Sequence, residues 1–336
     1  MDIVNCALEM VYFTNGRLTH FVRLLNLVKC TGFWSICMQE VFVKRIVFGI
    51  FIVTCCLFSA EASSSARKAG FVLLREGVGA RAAAMGEAQT AVVGEQTAAF
   101  WNPAGVAAMQ GKHFILAHHR SFQGIKQGYG GWAYGNDRRG LALSLGVYGV
   151  GGLEARREPT ATPAGTFSVY DLNAGLSYAQ KIGQRIYVGF SIRALHENIG
   201  PESAWGMSAD GGVLYRLSES LMLGAAYRNL GRMAQLDRER TPLPRVFRLG
   251  GAWFWHTWIA TADFRLPEAG NRGANFGLEY GVMGRLFLRG GIQTGHDTRM
   301  LSFGMGITRR NWRVDYAFVP ASQGLGDSHR IAVGIR

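Results

Sequence analysis

The chain has 336 residues, 45 of them Gly and only 8 Pro, with 48% apolar, 12% aromatic and 18% charged residues and a formal net charge of +13. The apolar share excludes a disordered chain, and the Gly surplus without Pro or a Gly-X-Y period excludes collagen-like and low-complexity classes. The longest apolar run, Ile46 to Phe58, is shorter than the ~20 residues of a spanning helix, so the composition points to many short strands.

The cysteines are Cys6, Cys30, Cys37, Cys55 and Cys56, with none beyond. The main body can therefore hold neither a disulfide framework nor a cysteine zinc site, and no metal or cofactor is expected. Lys44-Arg45, the run Ile46–Phe58 and Ala60-Glu61-Ala62 form the basic, apolar and small-x-small parts of a secretory signal. Met38 stands just upstream, so residues 38–62 read as a signal peptide cleaved near Ala62, and residues 1–37 as an extension from a start codon placed too early. An exported body without cysteine suits a fold that needs no covalent staples.

Residues 63–110 differ in character. They contain Gly77-Val78-Gly79-Ala80-Arg81, Met85-Gly86 and Asn102-Pro103-Ala104-Gly105 in an Ala/Gly-rich setting without strand alternation. The side chains look too small for a core helix but suit close packing inside a hollow body, and Asn102-Pro103 imposes a kink because Pro fixes φ. Gly77-x-Gly79 lacks the third Gly of a dinucleotide loop.

From residue 111 to 336 the chain alternates with period two. Leu141, Leu143, Leu145 and Val147 alternate with Ala142, Ser144, Gly146 and Tyr148; Leu301, Phe303, Met305 and Ile307 alternate with Ser302, Gly304, Gly306 and Thr308. This is the strand pattern, not the helical one. It predicts strands at 112–122, 127–135, 140–149, 167–180, 185–197, 204–216, 220–229, 244–255, 257–266, 273–281, 285–294, 299–309, 311–319 and 328–336. Turn signals such as Asn136-Asp137, Met283-Gly284 and Arg310-Asn311 alternate with longer connections at 150–166, 198–203, 230–243 and 320–327. An even number of strands near the ~9–11 residues that cross a bilayer predicts an all-β fold, a 14-stranded antiparallel transmembrane β-barrel with the preceding segment as a small hatch in its lumen. A soluble sandwich would turn a polar face to water, whereas the second face here is Gly, Ala and Ser with isolated charges; a propeller would show repeats of 40–50 residues, which are absent. Trp253, Trp255, Trp258, Tyr280 and Trp312 gather at segment ends as interfacial girdles do.

The charges that fall on the second, inward face are Arg193, Asp210, Arg228, Arg248, Asp263, Arg265, Glu279, Arg289, Arg313 and Asp315. Charge is expensive on a lipid face, so this sorting supports the register. Most of these residues are expected to form a salt-bridged lumen; Arg313 and Asp315, adjacent on one strand, are the first candidates for contacts to the hatch. Basic residues are scattered, and the pairs Arg138-Arg139, Arg156-Arg157 and Arg309-Arg310 fall in turns or loops; with export, this excludes nucleic acid as a partner.

Gly79-Ala80-Arg81-Ala82, Met85-Gly86 and Asn102-Pro103-Ala104-Gly105 resemble, in order and spacing, the N-terminal motif of the PorV/PorQ family of FadL-like outer-membrane barrels. Val314-Asp315-Tyr316-Ala317-Phe318-Val319-Pro320 and Leu325-Gly326-Asp327-Ser328-His329-Arg330-Ile331 resemble its C-terminal end. Ala84 stands where Gly is common, and Arg336 where a terminal aromatic is usual. The resemblance implies a fourteen-stranded barrel in the bacterial outer membrane, in contact with membrane lipid, whose hatch motif comprises Gly79, Arg81, Met85, Gly86, Asn102, Pro103, Ala104 and Gly105. Two functions are in view. One is a conduit for a hydrophobic small-molecule ligand, gated by the hatch, with an apolar pocket under Asn102-Pro103. The other is an outer-membrane docking or shuttle component of a type IX-like protein secretion system, which would hold a secreted protein on apolar residues around Leu153 or Leu230–Leu236 above a sealed lumen. His118, His119, His196, His256, His296 and His329 offer bases, but no nucleophile motif such as Gly-x-Ser-x-Gly is present, so no enzymatic activity is expected.

Overall fold

The protein is described by a computed structural model covering residues 70–121, 124–156, 163–236, 242–295, 300–321 and 326–336. The extension and signal peptide read over 1–62, and His296, lie outside these residues. The alternating segments form strands β1 Gln110–Arg120, β2 Lys126–Asn136, β3 Arg139–Ala155, β4 Gly165–Ile182, β5 Ile186–Ile199, β6 Glu202–Ser218 and β7 Leu221–Met233. They continue as β8 Val246–Trp255, β9 Trp258–Pro267, β10 Gly273–Val282, β11 Leu286–Gln293, β12 Leu301–Arg309, β13 Trp312–Val319 and β14 Ser328–Ile335. Every strand pairs antiparallel with its sequence neighbours, and β1 pairs with β14 through Leu116↔Val333 and His118↔Ile331, closing the barrel. Closure leaves no unpaired edge, the condition a strand-built membrane body must meet.

The alternation sorts side chains as the fold requires. Leu143, Leu145, Phe190, Phe303 and Ile307 lie exposed on the outer wall, while Ser144, Ser191, Ser302, Asp263 and Arg289 are buried on the inner one. Connections sort as well. One rim carries the turns 137–138, 183–185, 219–220, 256–257, 283–285 and 310–311, and the other carries the longer connections together with the tight turn at 200–201. Asp137, His256, Met283 and Arg310 adopt φ of 51–60° in the short turns, the left-handed geometry that matches the strand twist.

Five strands, β3 to β7, run longer than the alternation predicts, so the loops expected at 150–166, 198–203 and 230–243 are partly sheet. At 198–203 the β5–β6 register simply continues unbroken to Ile199↔Glu202; in the other two regions a bulge breaks the period. The β3–β4 register slips between Val150 and Leu153 at Gly152, whose φ is 72°. The β6–β7 register slips between Ala209 and Gly211. There Asn229 has φ 64°, and its amide donates to Asp210 Oδ1 at 2.8 Å. A bulge moves later side chains to the other face of the pattern, so period-two reading stops there although pairing continues.

The N-terminal segment fills the inside. Gly70 N donates to Pro242 O on the long-loop rim at 3.1 Å, and the segment ends at the short-turn rim, where Gln110 opens β1. Between these points lie α1 Ala80–Ala84, α2 Ala98–Trp101 and a 3-10 turn Pro103–Val106. All residues of α1 are buried, which corrects the expectation that this stretch is too small-sided for a core helix. Alanine is large enough because the facing wall is glycine: a Cβ on Gly291 would come within 2.5 Å of the Met85 carbonyl carbon, and one on Gly277 within 2.5 Å of its oxygen. Val106, Ala107 and Met109 pack with Ala133, Ala142, Tyr187 and Leu214, so the space under Asn102-Pro103, expected to be an apolar pocket, is packed core.

Gly291→Val drives a branched side chain into the backbone of Met85 and Gly86, and overpacking of this kind costs ~1–3 kcal/mol. The expected outcome is a barrel that still shows heat-dependent mobility on gels but is cleaved by protease within residues 80–106. Protection equal to the native protein contradicts this packing.

Candidate functional site

The interior polar groups converge on the N-terminal segment from several strands. α1 starts after Gly79, whose φ of 87° favours glycine, and this start aims Arg81 at β10. Arg81 forms a two-pronged pair with Glu279, Nε to Oε2 at 2.8 Å and Nη2 to Oε1 at 2.9 Å, while Nη1 reaches Glu95 Oε2 at 2.5 Å. Glu279 also accepts from Arg289 Nε at 2.5 Å. Arg289 and Arg313 each reach Asp315 at 2.9 Å. The cluster balances Arg81, Arg289 and Arg313 against Glu95, Glu279 and Asp315, as a buried network must. Burial alone would raise the Glu95 carboxyl, but Arg81 and Arg313 outweigh it and hold the group below its ordinary value. Burial likewise opposes the Arg81 charge, and Glu279 and Glu95 overcome it, so the guanidinium keeps its proton more firmly than usual.

A second anchor is Asp263 on β9. One of its oxygens, Oδ2, accepts from Gln89 N at 3.0 Å, Thr90 N at 2.9 Å, Thr90 Oγ1 at 2.6 Å and Arg248 Nη2 at 3.0 Å. Arg248 Nη2 also donates to Glu87 O at 2.5 Å. Ser302 closes the end of α1, accepting from Gly86 N at 3.1 Å and donating to Ala84 O at 3.2 Å. Asn102 joins the segment to two strands: Nδ2 donates to Thr90 O at 2.8 Å, to Val213 O of β6 at 3.2 Å and to Ala225 O of β7 at 3.4 Å, and Oδ1 accepts from Ala104 N at 3.1 Å. Pro103, Ala104 and Gly105 are buried in the turn that follows. Met85 is buried, its sulfur 3.8 Å from Gln89 Nε2, and Gly86 takes φ 61°.

Between the anchors sit two aromatic rings of α2. The Arg228 guanidinium lies 4.1 Å from the Phe100 ring centre and that of Arg193 5.7 Å from it, while Arg248 lies 5.0 Å from the Trp101 ring centre. Tyr129 meets Phe100 edge-on at 6.4 Å, and Trp101 Nε1 donates to Val78 O at 3.2 Å. Arg193 also pairs with Asp210 at 2.5 Å. Arg228 is only 3% exposed, and its Nε and Nη2 have no hydrogen-bond partner, so the ring faces supply close electrostatic company beside the Asp210 charge.

Arg313 and Asp315, the first candidates for contacts to the segment, make their hydrogen bonds and ion pairs within the wall. There Arg313 pairs with Asp315 and reaches Glu279 at 3.6 Å, while the Arg313 charge also acts on Glu95 of the segment. Arg265 turns to the long-loop rim, 3.5 Å from Gly295 O. The direct contacts come from Glu279, Asp263, Arg248, Arg193 and Arg228 and from wall residues not singled out from sequence. Among these are Ser302, Arg330 and Asp171, whose Oδ2 accepts from Leu73 N at 3.1 Å. Arg330 Nη1 donates to Gly77 O at 2.8 Å, and its guanidinium lies 3.4 Å from Glu87 and 3.5 Å from Glu76. The alternation of Arg330 with Ile331 and Val333 carried the signal for it.

No protein-family model and no curated protein matches the chain. Solved structures do. The toluene transporter TodX of Pseudomonas putida aligns with TM-score 0.58 at 14% identity, covering 77% of this chain and 97% of that one. The monoaromatic hydrocarbon channel CymD aligns with TM-score 0.58 at 15% identity, covering 79% and 97%. A FadL homologue of Pseudomonas aeruginosa gives 0.51 at 12%, covering 76% and 97%. At these identities the likeness establishes a FadL-like barrel fold.

Removing one member of a buried ion network costs ~3–5 kcal/mol, so Glu279→Ala is expected to lower the barrel's thermal midpoint sharply at neutral pH. The depressed carboxyl of Glu95 adds an acid dependence. A group whose folded value is lowered contributes stability that is complete above its ordinary value near 4.5 and is lost as pH falls through the lower folded value. The midpoint should therefore be flat from about pH 7 to pH 5 and fall below about pH 4, with a shallower fall in Glu95→Gln. An identical acid profile in that variant, measured by circular dichroism, contradicts the assignment.

Proposed function

We propose that this protein is a bacterial outer-membrane conduit for hydrophobic small molecules, of PorV/PorQ type, gated by residues 63–110 acting as a hatch. In this reading residues 38–62 are the export signal, cleaved near Ala62, and residues 111–336 are the barrel. The hatch motif, Gly79, Arg81, Met85, Gly86, Asn102, Pro103, Ala104 and Gly105, sets where the segment bends and docks.

The observation that carries the reading is the buried aromatic pair inside the barrel. Phe100 and Trp101 belong to the hatch, whereas the three guanidiniums around them and Tyr129 belong to the wall. Displacing the hatch opens the barrel and uncovers a site already shaped and charged for an aromatic ring. The segment is joined covalently only at β1 and otherwise docks through hydrogen bonds, ion pairs and packing, contacts that can break and re-form. TodX and CymD, described as a toluene transporter and a monoaromatic hydrocarbon channel, point to the same class of cargo.

The docking reading rests on a different observation. The described residues of the hatch are mostly buried, and Leu230 is 51% exposed near the long-loop rim, as a platform for a secreted protein above a filled lumen requires.

The two readings separate in one assay. Expression in a host whose outer membrane lacks such a channel should raise toluene uptake several-fold, and Asn102→Ala should change the rate while leaving barrel assembly intact. Unchanged uptake, with a secreted protein co-purifying from the native source, overturns the conduit.

A further inference from the structure

The outer wall carries a recess that the hatch and lumen do not use. Outward positions on adjacent strands lie in rows set by the register. Leu116 pairs with Gly130 and His118 with Gly128, and on the next strand Leu145 pairs with Gly130 and Val147 with Gly128. Leu116 and Leu145 are 72% and 65% exposed. Two missing side chains between two tall rows make a furrow. It is continued by Ala174 and Ala194 and bounded by Trp205, giving a cavity of about 760 Å³. A second cavity of about 340 Å³ shares His118, Gly128 and Val147 with it and extends to Lys126 and Gly149.

The upper end of the furrow is basic. Arg120 pairs with Lys126 across β1 and β2, and His329 pairs with Arg120 across β14 and β1. Arg120, Lys126 and His329 are all exposed on the wall. They stand next to the β1–β2 connection, on the long-loop rim. An apolar slot several strands wide with two cations at its mouth fits an amphiphile with an acyl chain and an anionic head.

We infer that this furrow binds a phosphorylated membrane lipid, one acyl chain lying over Gly128 and Gly130 and the phosphate held between Arg120 and Lys126. The inference rests on the bilayer reading of the outer wall, though not on what passes through the barrel. Small residues let the chain lie against the backbone, where dispersion contacts are densest. Phosphate binds two basic side chains by charge-assisted hydrogen bonds, and cations beside a membrane surface add further attraction.

The test uses the full chain, stripped of lipid in detergent and incubated with dioleoyl phosphatidic acid or dioleoyl phosphatidylcholine, with native mass spectrometry counting retained lipid. Preferential retention of one phosphatidic acid is expected. Retention should fall roughly tenfold in the Arg120→Gln, Lys126→Gln double variant, and Gly128→Leu should lower it for both lipids by filling the slot. Equal retention of both lipids by the native protein, or no change in either variant, overturns the site. Displacement of the lipid by excess inorganic phosphate alone marks a bare anion site and overturns the acyl component. Heat-dependent gel mobility of the same samples reports the membrane-barrel reading separately, so failure of one is distinguishable from failure of the other.

Discussion

The carboxylate of Glu279 on β10 is the point where two otherwise separate bodies are tied together. It receives Arg81 from the N-terminal segment and Arg289 from the wall within one buried cluster. An isolated buried carboxylate is prohibitively costly, so neither body holds this charge comfortably without its partners. The same logic recurs at Asp263, one of whose oxygens serves two amides and a hydroxyl of the segment and a guanidinium of the wall. Docking of the segment is thus specified by charge and hydrogen-bond satisfaction at fixed heights along the barrel. Packing then fills the rest.

Packing can do so only because the wall has been thinned. Inward glycines on β10 and β11 let the backbone of Met85 and Gly86 lie against the sheet, and Ala84 meets Gly304 in the same way. This accounts for a Gly surplus in a chain with little Pro. Glycine serves the outer wall too, where Gly128 and Gly130 open the furrow between β1 and β3. The barrel is therefore close-fitting on the inside and locally recessed on the outside by the same means.

Much of this was legible in the sequence. The fourteen strands and their order of pairing follow from period-two alternation and turn residues, because one face of each strand must be apolar and the other small or polar. Reading failed where a local device reverses the period, at Gly152 in β3 and the Asp210–Asn229 bulge between β6 and β7, and at 198–203, where β5 and β6 pair without a bulge up to the turn at 200–201. The N-terminal segment was legible as material for the lumen but not as helix, since Ala80–Ala84 is a core element only against a glycine wall supplied by strands some 200 residues away in the chain. Which charges meet the N-terminal segment was harder still. Alternation assigns a face but no height, so adjacency alone places Arg313 and Asp315 ahead of Glu279 and Asp263, and Arg330 is not singled out. Heights depend on strand stagger, which one strand's sequence does not contain.

The central claim is that the N-terminal segment is a unit held in the barrel by these carboxylates, able to release while the wall stays closed. Native-state hydrogen exchange measured on the native protein and on Asp263→Asn tests it most directly. The account predicts that amides of residues 80–106 lose protection in the variant by an order of magnitude or more, while those of β10–β14 keep theirs. Parallel loss in the segment and the strands would mean that the two form one cooperative core, and would contradict a hatch.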